Sequence, residues 1–225
     1  KLPVTGALTI LAFLMILVLS VPLGILSGSR HGGWVDRVLT VVNQVVMAVP
    51  PFFTGILFTY LFGLVLRWFT PGGYVSFAED AAGVWGYLIL PALSLALPRT
   101  AMCVRMMRGT ILSELHRDYV RTSVSRGADD RWLMYRHVLK NAAVPTVTFL
   151  AQTMAEIVAG SVVVEQVFAI PGLGRLLIGS ISTRDFPVTQ AIVVLLAFWV
   201  VAVNTVADLV GQRIDPRLKL EADHE

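Results

Sequence analysis

The chain has 225 residues, of which 56% are hydrophobic and 15% charged, with a net charge of +3, a single cysteine and a mean hydropathy of +0.72. A soluble domain carries about 25% charged residues, so a soluble globular protein is excluded, along with disordered, collagen-like, nucleic-acid-binding and disulfide-scaffold chains. Cys103 alone cannot form an internal disulfide, and the basic excess lies between apolar stretches, which makes it a topology signal.

No Asp, Glu, Lys or Arg occurs in residues 2–29, 38–66, 81–98 or 186–207. Each stretch has the roughly 18 or more apolar residues of a membrane-spanning helix. The pattern predicts an all-α, multi-pass bundle, one domain over residues 1–225, with five spans at about 5–28, 38–66, 83–112, 143–165 and 187–210.

The first span follows Lys1-Leu2-Pro3 with no initiator Met. It exceeds the apolar core of a signal peptide, about 7 to 15 residues, so it reads as a span in a chain whose own start is missing. In the second, Asn43, Gln44 and the Pro50-Pro51 pair put polarity and exposed backbone at membrane depth. Such a break either lines a substrate path or kinks at a packing interface. The third continues past Pro98 to Arg99, Arg105 and Arg108. Arg99, about 27 Å of helical rise from Ala81, is expected to snorkel to the far interface.

A polar loop at about 113–141 follows, where a turn of about 5 residues would suffice. Two short helices are expected there. The first ends near Arg126, closed by Gly127 in a left-handed conformation. The second starts at Asp129 or Asp130 and carries Trp132, Leu133, Tyr135 and Val138 among Arg131, Arg136 and Lys140. This helix suits either anionic lipid or a cytosolic partner, with aromatic anchors and a basic rim.

Asn141 is the expected N-cap of the fourth span, with Pro145 in its first turn. Glu156 and Gln152 lie one turn apart near the midplane, where an ionisable group costs several kcal/mol unless paired or wetted. They line a hydrated path and meet a substrate amine or metal, or they contact a neighbouring helix. Glu165 lies nearer the outer surface and is expected to be structural at an external mouth. Segment 168–186 is too apolar for a plain turn. Pro171-Gly172-Leu173-Gly174 starts a short interfacial helix, and Arg184-Asp185 either packs there or meets a partner. In the last span Asn204 and Asp208, one turn apart, are expected to cap the helix or pair with a basic residue.

Fourteen of the 18 Lys and Arg residues fall on the side of the 113–141 loop and four on the other, which puts the loop and the C-terminus in the cytoplasm and the N-terminus outside. The chain has no His-Glu-x-x-His and no Gly-x-Ser-x-Gly, and its four histidines fall outside the spans. No catalytic or metal site is expected.

Arg121-Thr122-Ser123, three residues, Gly127, nine residues and His137-Val138-Leu139 resemble the Glu-Ala-Ala, three, Gly, nine, Ile-x-Leu-Pro loop of ABC importer permeases. Asp118-Tyr119-Val120-Arg121-Thr122, Arg136-His137-Val138-Leu139-Lys140-Asn141-Ala142-Ala143-Val144-Pro145, Val162-Val163-Val164-Glu165-Gln166-Val167-Phe168, Pro171-Gly172-Leu173-Gly174-Arg175 and Asp215-Pro216-Arg217 resemble its dipeptide, oligopeptide and nickel branch. The chain departs from the general motif at Arg121-Thr122-Ser123 and at Lys140, which stands where that motif has Pro.

The resemblance implies a bacterial inner-membrane permease subunit, with six spans in the full chain and the first absent here. It implies a second permease subunit, two cytosolic ATPases, an extracytoplasmic solute-binding protein and membrane lipid as partners. ATP and Mg belong to the partner ATPase, since this chain has no Gly-x-x-x-x-Gly-Lys-Ser/Thr loop. Tyr119, Arg121, Thr122, Ser123, Gly127, Asp130, Trp132, Arg136 and His137 fall in the ATPase-docking loop. Asn43, Gln44, Pro50, Gln152 and Glu156 are path candidates, and Glu165, Gly172 and Gly174 mark the outer mouth. A di- or oligopeptide is the expected cargo, with nickel or a metal chelate as the alternative. An ion-coupled carrier using Glu156 or Asp208 is the competing class.

Overall fold

Backbone amides in lipid must be satisfied within the chain, so charge-free apolar runs become helices. The computed structural model describes residues 1–214, without the side chains at 130, 131, 208, 210, 211 and 214. The expectations for Asp215-Pro216-Arg217 and for the Asp130 and Asp208 side chains lie outside what is described. Among the described residues every regular element is helical.

The long helices are α1 (Leu2–Ser29), α4 (Ala81–Leu115), α7 (Leu139–Val167) and α9 (Phe186–Ile214). The shorter ones are α2 (Trp34–Ala48), α3 (Pro51–Phe58), α5 (Asp118–Ser125), α6 (Asp130–Leu133) and α8 (Leu173–Ser182). Among the described residues four helices are long and apolar enough to cross a membrane, and α2 with α3 makes a fifth if the bent pair is one span.

That pair is bent by 94°. Val49 and Pro50 are extended, at ψ 121° and 146°. A proline ring drives the residue before it out of the helical region, so two prolines in a row impose two extended residues. The 38–66 run is therefore two helices meeting at a corner, not one kinked rod. α3 continues as π-helical turns over Thr59–Val65.

The loop also differs from expectation. Asp129 caps α6, its carboxylate accepting from the Trp132 N–H at 3.2 Å. From there the helix passes through π-helical turns at Met134–Val138 straight into α7. Helix 130–167 is thus continuous; Asn141 caps nothing, and Pro145 is interior. Within the loop, α5 alone is a free-standing short helix. The helix expected after Pro171 is α8, with Gly172 just before its first turn.

α1 packs along α4. A Cβ at Gly24 would lie 2.7 Å from Met107 Sδ, and one at Gly28 2.7 Å from Ile111 Cδ1, so two glycines four apart let the backbones approach. Leu8, Ile16, Leu88, Ile157 and Phe168 form part of the main core between α1, α4 and α7. A second cluster, Met107, Ile111, Val120, Leu133, Val138 and Ala142, sits at the loop end and joins α5 and α6 to α4 and α7.

Candidate functional site

Two buried polar knots mark opposite ends of the bundle. At one end Glu165 is fully buried. Its Oε1 accepts from Thr5 Oγ1 at 2.6 Å, and its Oε2 accepts from the Gly174 and Arg175 N–H groups at 2.7 and 3.1 Å. Thr5 Oγ1 in turn accepts from the Leu173 N–H at 2.8 Å. A carboxylate at a helix N-terminus meets free amides and the positive end of the dipole. A Cβ at Gly172 would fall on this carboxyl and one at Gly174 on the Val162 backbone, so both positions exclude side chains. The three residues predicted at an outer mouth come together, but as an interior clasp joining α1, α7 and α8.

At the other end Asp36, 2% exposed, receives Arg108 Nε and Nη2 at 2.6 and 2.8 Å, Ser27 Oγ at 2.7 Å and the Gly32 N–H at 2.9 Å. Asp36, Ser27 and Gly32 were not singled out from the sequence, and Arg108 was read only as part of the basic end of the third span. The available signal was an acid set between Arg30 and Arg37 just after the first charge-free run, in the first turn of α2.

Thr5 and Ser27 are 22 residues apart on α1, about 33 Å of helical rise against a hydrocarbon thickness of about 30 Å. Glu156 lies nine residues from Glu165 along α7, and Arg99 nine from Arg108 along α4. Each is thus about 14 Å from its knot, near the midplane. There Arg99 Nη1 donates to Glu156 Oε2. Arg99 is therefore not snorkelled to an interface; an opposite charge on α7 holds it at depth. Glu156, Gln152 and Asn204, with Ala155, Ala159 and Val200, line an open groove of about 500 Å³ between α7 and α9. Asn204, expected to cap the helix or pair with a basic residue, lines this groove. Asn43, Gln44 and Pro50, on α2 and at its corner, are not among the lining residues.

The loop is held from below and exposed above. Tyr119 O–H donates to Glu114 Oε2 at 2.8 Å and accepts from Asn141 Nδ2 at 3.2 Å, tying α5 to α4 and α7. Burial raises the pKa of the Tyr119 phenol, which stays a neutral donor. Thr122 and Ser123 hydroxyls turn back to the Asp118 and Tyr119 carbonyls, while Arg121 points outward. Gly127 has φ +81° and no atom within 4 Å of a built Cβ. Trp132, exposed, meets the His137 ring edge-on at 4.8 Å, and Val124, Tyr135 and Arg136 are exposed beside them.

A multi-helix bundle with a polar midplane groove and a braced polar loop is the architecture of a membrane transport subunit. The fold matches, with a TM-score of 0.74 over 94% of this chain and 93% of the other at 16% identity, a chain of the MetNI methionine ABC transporter in its inward-facing conformations. The chain belongs to the family of binding-protein-dependent transport system inner membrane components, whose model matches residues 20–220. It is 36% identical to "Probable peptide ABC transporter permease protein y4tP" of Sinorhizobium fredii, over 97% of this chain and 70% of that protein. It is 34% identical to the oligopeptide transport system permease protein AppB of Bacillus subtilis, again over 97% of this chain and 70% of that protein.

Proposed function

We propose that this chain is a permease subunit of an ATP-driven, binding-protein-dependent importer of di- or oligopeptides. It forms half of the path, a second permease subunit forms the other half, and an extracytoplasmic binding protein delivers the cargo. Two cytosolic ATPases hold ATP and Mg; this chain holds neither. The names of its relatives support a peptide cargo, and the fourteen-to-four basic asymmetry supports a cytoplasmic loop and C-terminus.

One observation carries the docking role. The 113–141 loop is a firmly seated platform, with Val120, Leu133 and Val138 buried beneath it and Val124, Trp132, Tyr135 and Arg136 exposed on top. Aromatic anchors with a basic rim suit a partner groove, and the buried layer passes any push on α5 and α6 directly to α4 and α7. ATPase closure then tilts the spans between inward and outward opening.

Gly127→Asp tests this. The position faces open space, so the bundle stays intact, while a left-handed non-glycine residue costs about 1–2 kcal/mol locally and an anion enters the docking surface. The variant is expected in the membrane at normal level, with uptake abolished and the ATPase no longer co-purifying in mild detergent. Normal uptake by Gly127→Asp overturns the docking role.

A further inference from the structure

We infer that the Arg99–Glu156 pair is a charge-exchange site for the two ends of a zwitterionic peptide, an inference that rests on the peptide-importer reading above. The pair sits at the bundle's midplane by the helical rise from both knots. Its side chains are 30% and 53% exposed; Glu156 lines the groove, and Arg99 reaches its edge by pairing with that carboxylate. An unpaired charge at that depth is strongly disfavoured, so each holds the other while the site is empty.

A peptide with a free ammonium and a free carboxylate brings the same two charges. Its ammonium takes Glu156 and its carboxylate takes Arg99, whose planar fork suits a carboxylate. The original pair opens as two new ones close, and no net charge is added to the membrane interior at any stage. A solute with one blocked end leaves either Arg99 or Glu156 without a partner, and pays for it in the transfer step. Gln152 and Asn204, exposed along the same groove, supply amides for the peptide backbone between the ends. The groove's roughly 500 Å³ falls in the range of about 300–1,000 Å³ usual for small-molecule sites. Selection here reads the termini and not the side chains, which fits a carrier of varied sequences.

The test uses the complete transporter in proteoliposomes with its binding protein, ATP and labelled tripeptides: one free at both ends, one Nα-acetylated and one C-terminally amidated. The binding protein's affinity for each is measured separately and divided out. Blocking either end is expected to slow uptake about tenfold or more, the scale of a lost charge-assisted hydrogen bond. Glu156→Gln is expected to abolish discrimination against the acetylated peptide and Arg99→Gln that against the amidated one. The reversed pair, Arg99→Glu with Glu156→Arg, restores discrimination against both. A purely structural ion pair would also be repaired by reversal, but its loss would leave the end-group ratios unchanged. Ratios within about twofold of the unmodified protein in both single variants overturn the inference while peptide uptake itself stands. Uptake of no peptide, with another solute carried instead, overturns the cargo reading and this inference with it. If the single variants do not assemble, the unmodified protein decides: no penalty for a blocked end is the overturning result.

Discussion

Asp36 is the residue on which the loop end depends. Its carboxylate binds Arg108 through both oxygens and also takes Ser27 and Gly32. Asp36→Ala leaves the Arg108 guanidinium, 31% exposed, without its counterion. A fully buried pair broken from one side costs about 3–5 kcal/mol; the partial exposure of Arg108 brings the expectation nearer about 1–3 kcal/mol. The apparent unfolding temperature in detergent should fall, and Asp36→Ala with Arg108→Ala should fall by less than the sum of the single variants, because the second removal discards a charge already orphaned. Additive effects would mean that the pair is not coupled. The sequence could not display this pairing: the partners lie 72 residues apart, on α2 and α4, and meet only when those helices pack. Glu165 was legible as an outlier in an apolar run. Its burial was not, since the amides that satisfy it arrive only when α8 folds back nine and ten residues later.

Among the elements, the long spans were readable because hydropathy decides them, and the left-handed Gly127 because helix closure demands it. What escaped was continuity. The sequence shows Asn141 and Pro145 as a helix start, yet Asp129 caps earlier and the chain stays helical through the π-helical turns to Val167. The corner between α2 and α3 was visible as a proline pair but not as a right angle. If the prolines cause it, Pro50→Ala with Pro51→Ala straightens the segment. Positions 41 and 64 are 23 residues apart and exposed. With the 94° bend their separation is about 24 Å, and as one helix about 35 Å. Spin labels at the two sites should report a shift to the longer distance; an unchanged distance would assign the corner to packing against α4 and α7.

At the scale of the whole molecule, the question is which exposed surface meets water and which meets lipid. α9 separates the two. Asn204 faces the groove, whereas Val194, Phe198 and Val201 on the same helix are exposed and apolar. Labelling of introduced cysteines discriminates, because only a thiolate reacts with a maleimide and a thiol ionises only where water solvates the product charge. The natural Cys103 is fully buried, so the background is low. A membrane-impermeant maleimide should label Gln152→Cys and Asn204→Cys in the assembled transporter and leave Val194→Cys unmodified. Adding a free tripeptide should protect the first two, since the cargo displaces the water that carries the reagent. Equal silence at all three positions would mean that the groove is filled by lipid or protein. The Arg99–Glu156 pair would then be an internal strut, and the path would run elsewhere, with the α2–α3 corner the next place to look.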